Sequence, residues 1–370
     1  MNRRTLIALL VWAVLSGGLA ANAQPVTTLY SFVRGPINPH AGLTLGPDGN
    51  FYGTTAAGGK NLGGTVYRMA TNGVLTTLFQ FSSYPSGSGP TADLTLGPDG
   101  NFYGTTMAGG TTLSGVNDTG VVFKMNTNGI PTTLVNFNGT NGGHPDAAVT
   151  LGPDGYYYGT TEFSGSNNVG TVFKVTTNGT LTTLVTFNNT NGANPVSCLT
   201  LAPGGIFYGT TKLGGKFGLG TAFKLTTNGD FTMLNSFDQT NGAWPAGRMA
   251  LGSDGNLYGT TAYIGTAFEM TTNGAVTTLV NFNLLSTLSL STTNGEFPYS
   301  GLTPGPDGCY YGTTSQGGAN GSGTIFKVST NGTAAFLATM PGVQVEFLTN
   351  FEGVVFYSTN NFATSAVFVN

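Results

Sequence analysis

Charge is scarce in this chain: only 7% of its 370 residues are Asp, Glu, Lys or Arg, 12 basic against 15 acidic, where an average domain carries about 25%. With no basic stripe and a slight acidic excess, nucleic acid is not an expected partner. Two cysteines, Cys198 and Cys309, and two histidines, His40 and His144, are too few for a disulfide framework or a Cys/His metal site. The long apolar run, Leu6 to Leu15, is about half of what a membrane-spanning helix needs. Beyond residue 23 no helical period of useful length appears, which leaves β structure.

What the chain has instead is repetition. Tyr-Gly-Thr-Thr recurs at Tyr52, Tyr103, Tyr158, Tyr208, Tyr258 and Tyr311, with a decayed copy at Tyr357 (Tyr-Ser-Thr-Asn); the spacings are 51, 55, 50, 50, 53 and 46 residues. Units of this size bury their apolar faces only against neighbouring units. Each unit carries four strand signals, A to D. In the fourth, strand A (Leu199-Thr-Leu) runs through a Gly/Pro turn into strand B (Ile206-Phe-Tyr-Gly-Thr-Thr). Most copies read Gly-Pro-Asp-Gly at that turn, as at Gly46 to Gly49, where Pro presets one angle and Gly takes the positive φ. A Gly-rich loop of varying length leads to strand C (Thr221-Ala-Phe-Lys-Leu). That strand ends in Thr-Asn-Gly, a strong hairpin signal, before strand D (Phe231 to Phe237).

Four antiparallel strands per repeat match a propeller blade. A spare strand D signal, Thr27 to Phe32, precedes the first strand A, and the last unit stops after a strand C-like Ala366 to Asn370. Pairing the two ends removes the exposed edges of an open stack. The sequence therefore predicts an all-β, seven-bladed β-propeller of four-stranded antiparallel blades, closed by the N-terminal strand completing the last blade, in one domain over residues 24–370.

The Tyr-Gly-Thr-Thr strand, the Gly-Gly loop and the Phe-Lys-Val strand recur in one order, as in Tyr311-Gly-Thr-Thr-Ser-Gln-Gly-Gly followed by Gly323-Thr-Ile-Phe-Lys-Val. Over residues 27–370 this resembles the GloVer tandem repeats of the choice-of-anchor secreted protein family. The resemblance implies an exported, propeller-shaped repeat protein. Members carry alternative C-terminal surface anchors; no such tail follows strand C here, so plain secretion or periplasmic residence is expected beside surface attachment. Residues 1–23 read as a signal peptide: Arg3 and Arg4, then the apolar run, then Ala21-Asn22-Ala23 as the cleavage site before Gln24. After cleavage 10 basic and 15 acidic side chains remain, and no membrane span is expected.

The repeated residues read as framework. Aromatic residues recur on strand C (Tyr67, Phe123, Phe173, Phe223, Phe268, Phe326, Phe368) and on strand D (Phe32, Phe81, Phe137, Phe187, Phe237, Phe282). Packing between blades needs identical walls, and a ligand rarely does. Gly53 and its equivalents in mid-strand B are expected to let a neighbouring aromatic ring or backbone approach closely. The hairpin aspartates Asp48, Asp99, Asp154, Asp254 and Asp307 sit where turns favour Asp, one per separated turn, so they do not converge on a calcium ion. The strand C cations Arg68, Lys124, Lys174, Lys224 and Lys327 read as a solvated row, broken by Glu269. Cys198 and Cys309 lie two blades apart, beyond bridging distance, and read as free, mostly buried thiols.

Function is expected where the repeat breaks its own rule. The D-to-A and B-to-C connections of a propeller share one face. The residue before the D-to-A proline changes from blade to blade: Asn38, Gly89, His144, Asn194, Trp244, Phe297. The B-to-C loops offer Lys60, Asp118, Glu162, Phe163, Lys212, Lys216, Phe217 and Tyr263. Aromatic planes beside polar groups suit sugar rings, and His144, Glu162, Phe163, Lys212, Phe217, Trp244, Tyr263 and Phe297 form the candidate ligand-binding set. The expected function is a monomeric, non-catalytic binding module for an extracellular glycan or envelope protein, with no cofactor and no metal. The alternatives are a structural role and a carbohydrate-active hydrolase or lyase. For the last, Asp93, Asp118, Asp146, Glu162 and Glu296, with His144 and His40, are scattered over several blades with no pair marked by spacing; two of these carboxylates facing each other would favour the enzyme.

Overall fold

A computed structural model describes residues 27–32, 36–110, 119–282, 295–318, 321, 323–339, 345–351, 354–359 and 364–369; residues 1–23, expected to be a signal peptide, and Asp118 lie outside them. Side chains are not described for 27–32, 36, 338–339 or the strands beyond 344. The chain forms a β-propeller of four-stranded antiparallel blades. In blade three the order is Thr150–Leu151, Tyr157–Thr161, Thr171–Val175 and Leu181–Thr186, strands A to D. Six blades, one per Tyr-Gly-Thr-Thr copy, have all four strands described, rather than the seven expected. The remaining strands make a further four-stranded sheet, in the order Thr27–Phe32, Thr364–Val369, Val354–Thr359, Val345–Phe351, for which only the pairing is described.

Strand B is buried along its length, as in Phe102–Thr106, because a neighbouring blade covers each of its faces. Alternation then assigns its side chains. Tyr158 points toward the next blade and stacks on Phe207 with ring centroids 4.2 Å apart; Tyr103 does the same with Tyr157 (3.8 Å) and Tyr258 with Tyr310 (4.1 Å). From Phe81 to Phe282, each strand D Phe meets the strand C Phe of the following blade, Phe187 with Phe223 at 5.5 Å and Phe282 with Phe326 at 4.8 Å. One apolar cluster therefore joins blade three (Tyr158, Val172, Phe187) to blade four (Leu199, Phe207, Phe223). Burial of each ring contributes about 1.5–3 kcal/mol.

The mid-strand glycine is what admits the strand C ring. Gly159 faces Phe173, and a Cβ there would sit 2.5 Å from the ring's Cζ; Gly209 and Gly312 stand the same way to Phe223 and Phe326. The two threonines after it are buried and pair. Thr161 Oγ1 and Thr171 Oγ1 are 2.8 Å apart, and Thr160 Oγ1 donates to the Ser197 carbonyl of the next blade (3.2 Å). In all six blades the C-to-D pairing slips one residue in mid-strand, a bulge that sharpens blade twist.

Both cysteines are free and half-buried, so they are less enclosed by area than expected. The strand C cations are not a simple solvated row either. Lys174 Nζ donates to the Thr227 carbonyl (3.0 Å), and Lys327 pairs with the hairpin Asp307 (3.3 Å).

Candidate functional site

The D-to-A and B-to-C connections meet at a fixed backbone contact. The residue after Thr-Thr donates its N–H to the carbonyl of the residue before the D-to-A proline: Ala56 to Asn38, Met107 to Gly89, Glu162 to His144, Lys212 to Asn194, Ala262 to Trp244 and Ser315 to Phe297, at 2.8–3.1 Å. The residue before the proline also donates backward, as Trp244 N–H to the Leu219 carbonyl (2.9 Å). Held at both ends, it takes a left-handed conformation in every blade: φ is 58° at Asn38, 66° at Gly89, 55° at His144, 54° at Asn194, 59° at Trp244 and 54° at Phe297. Gly and Asn accept this angle, whereas for His, Trp and Phe it costs about 1–2 kcal/mol. Three blades carry that cost to present an imidazole, an indole and a phenyl ring at one register.

Around blade three this framework brings two carboxyl groups together. Asp146 lies two residues after His144, and Glu162 is pinned to the His144 carbonyl, so their side chains come within hydrogen-bonding reach. No described N–H or O–H reaches the buried Asp146 Oδ1. A hydrogen bond between two carboxyl groups requires a proton on one of them. Burial, the hydrogen bond with Asp146 and the charge of Asp146 push Glu162 up to about 8, against the opposing charge of Lys212. Asp146 is raised as well, by burial, while Glu162, His144 and His40 pull it the other way. Both carboxyl groups are thus shifted toward keeping a proton at higher pH than isolated ones do. The scatter of carboxylates expected from the sequence is thus corrected at one place.

From this pair a continuous rim crosses blades three to five. His144 meets the exposed Phe163 edge-on at 5.4 Å, Lys212 Nζ lies 5.6 Å from the centre of the Trp244 ring, and Trp244 packs on the exposed Tyr263 at 4.6 Å. Six of the eight candidate residues, His144, Glu162, Phe163, Lys212, Trp244 and Tyr263, therefore share one rim. Phe217 stands apart beneath Lys216 Nζ (5.0 Å), and Phe297 stacks loosely on Tyr299 (6.4 Å) in blade six. Asp146 was absent from the binding set, although repeat alignment carries its signal. The two positions hold His40 and Ala56 in blade one, Thr91 and Met107 in blade two, Val196 and Lys212 in blade four, Ala246 and Ala262 in blade five, Tyr299 and Ser315 in blade six. Only blade three, among these, places a carboxyl group at both.

The family model of the Gloeobacter/Verrucomicrobia repeat matches residues 18–116 and 110–288. The chain belongs to that family. Within this repeat family the match takes in blades one to five and hence the whole rim. No curated protein matches the chain. Among solved structures, a catalytically inactive virginiamycin B lyase from Staphylococcus aureus, crystallised with quinupristin, is 16% identical with a TM-score of 0.66, covering 94% of this chain and 99% of that one. A streptogramin B lyase is 15% identical (TM-score 0.64, coverage 94% and 98%), and a proposed 6-phosphogluconolactonase from Bacteroides fragilis is 18% identical (0.54, 81% and 83%). At these identities the likeness is one of fold.

Proposed function

We propose that this repeat protein is exported, that the sheet of its two chain ends serves as a seventh blade closing the ring, and that the rim of blades three to five is an acid–base active site. The observation that carries the reading is the Asp146–Glu162 pair, which keeps a proton at a pH where isolated carboxyl groups have lost theirs. A protonated Glu162 is a general acid able to deliver its proton to a leaving oxygen or nitrogen. Asp146, hydrogen-bonded to it, stabilises the carboxylate left behind or takes up the proton that restores the pair. Lys212 supplies a fixed positive charge for an oxyanion. Trp244 and Tyr263 offer an aromatic wall for the apolar face of a sugar ring, which makes a saccharide-derived compound the preferred substrate class. Two carboxyl groups in contact are closer than the ~5–9.5 Å of two-carboxylate glycosidases, so the pair acts as one proton-holding unit in hydrolysis or elimination.

The test is incubation of the protein from Gln24 with an oligosaccharide library in ¹⁸O-labelled water, read by mass spectrometry, beside Glu162→Gln and Trp244→Ala variants. Labelled product lost in Glu162→Gln marks a hydrolase, and unlabelled, dehydrated product a lyase. Binding abolished in Trp244→Ala with no product from the parent protein would refute catalysis and leave a binding face.

A further inference from the structure

Two residues beyond the Asp146 position, roughly 6 Å of extended chain, each entering segment places another residue toward the axis: Gly42, Asp93, Ala148, Cys198, Arg248 and Gly301. Contacts between blades show that these positions converge. Gly42 N–H donates to Asp93 Oδ1 across blades one and two (2.5 Å). The charge of Arg248 in blade five acts on Asp93 in blade two, and both act on Cys198 in blade four. Blades two and five are three steps apart, so their side chains meet only across the central channel. Asp93 and Arg248 keep large accessible surfaces, yet desolvation by surrounding protein is the largest influence on the Asp93 carboxyl group. A side chain lining a water-filled channel has that pair of properties.

Both charges are underserved. The described hydrogen bond of the Asp93 side chain comes from one backbone N–H, and burial raises its carboxyl group above the usual range despite Arg248. The Arg248 guanidinium, always charged, makes no ion pair or hydrogen bond among the described residues. Opposite charges held apart in a confined space favour a guest that carries both.

We propose that the axial channel binds a small amino-carboxylate zwitterion, its ammonium group on Asp93 and its carboxylate on the guanidinium fork of Arg248. The fork accepts a carboxylate through two parallel hydrogen bonds, and an ammonium group donates to Asp93. A ligand of one charge leaves the other protein charge unmatched and binds more weakly. Cys198 contributes an uncharged wall, its thiol held protonated by burial. This site is separate from the Glu162 rim and does not depend on the rim's being catalytic.

Calorimetric titration of the protein with glycine, β-alanine and γ-aminobutyrate tests it, with acetate and methylammonium as single-charge probes. At least one zwitterion is expected to bind tenfold or more tightly than either single-charge probe, and the preferred spacer reports the gap between Asp93 and Arg248. Asp93→Asn and Arg248→Gln should each weaken it at least tenfold, whereas Glu162→Gln leaves it unchanged. Asp93→Glu and Arg248→Lys keep the charges and guard against loss through misfolding; each is expected to bind better than its neutral counterpart, with folding verified by circular dichroism. The proposal is overturned if no zwitterion binds the parent protein, if the neutral variants bind as the parent does, or if Glu162→Gln abolishes binding.

Discussion

Two sets of carboxyl groups in this propeller, one at the repeated A-to-B turns and one where the repeat is broken, behave in opposite ways. On the hairpin face, burial tends to raise Asp48, Asp99 and Asp307, but donors outweigh it and hold all three below the ordinary range. Asp99, for example, accepts from the Asn101 N–H (3.2 Å), Asn101 Nδ2 (2.8 Å) and the Tyr103 hydroxyl (2.8 Å). Asp254 is lowered chiefly by the Tyr258 hydroxyl at 2.7 Å. Toward the other face and the axis, Asp146, Glu162 and Asp93 are enclosed with few donors, and all three are raised. Residue type is nearly the same; the count of donors around it differs. Where the repeat recurs, Asp48, Asp99, Asp254 and Asp307 are supplied with several donors each. Where the repeat is broken, the carboxyl groups are left with unmet capacity, which is what chemistry or a ligand would use.

The strongest way to break this contrast is to neutralise one side of it. Glu162→Gln should lower turnover of any substrate about 10²–10⁴-fold without loss of fold, whereas Asp254→Asn should leave turnover intact; equal losses in a direct rate assay would erase the distinction. Next in size is a framework test at the repeated glycine. Gly159→Val drives its side chain into the Phe173 ring and should destabilise by about 1–3 kcal/mol, with Gly209→Val costing about the same. A urea midpoint unmoved in either variant would remove the packing role.

Acid–base titration sharpens the comparison because the two sets predict opposite slopes. Glu162 is raised from 4.5 to about 8, so the folded state binds the extra proton. Its stabilising contribution is full below pH 4.5 and is lost as pH rises toward 8. Asp254 lies below its ordinary 3.8, so its contribution is present above that value and is lost as pH falls through the folded one. Glu162→Gln should therefore flatten the stability profile between pH 4.5 and 8. Tyr258→Phe should cost about 0.5–1.5 kcal/mol at neutral pH and less in acid. Chemical denaturation across pH reads both, and a parent profile that rises from pH 4.5 to 8 would contradict the first. The smallest effect is at the strained register: Phe297→Asn should raise stability by up to about 1 kcal/mol by relieving the left-handed angle, and a clear fall in melting temperature would show that the ring's packing outweighs its strain.

Much of the framework was legible because repetition turns one local rule into six observations. Gly-Pro-Asp-Gly and Thr-Asn-Gly marked the hairpins, repetition marked the Tyr and Phe walls, and the mid-strand glycine implied a close neighbour, which the structure identifies as the Phe173 ring. The rim was legible only as a list of departures. His144, Glu162, Lys212, Trp244 and Tyr263 were visible as loop residues that change between blades, but nothing in their order joined Lys212 to Trp244 or Glu162 to Asp146. Those joins depend on the backbone contact between Glu162 and His144, which spans two loops and becomes a sequence rule only once its six copies are aligned.

By itself the sequence determined the blade, since turn angles, strand alternation and the space a glycine leaves are local and recur every ~50 residues. Tertiary structure alone decided which polar groups face one another and how many donors each receives. It put a left-handed angle on Trp244 and Phe297, brought the Glu162 and Asp146 side chains together, and placed Asp93 within reach of the Arg248 charge. The physical reason is that charge and proton sharing depend on distance through space and on exclusion of water, and closing blades around an axis brings together residues that lie 16 to 155 positions apart in the chain.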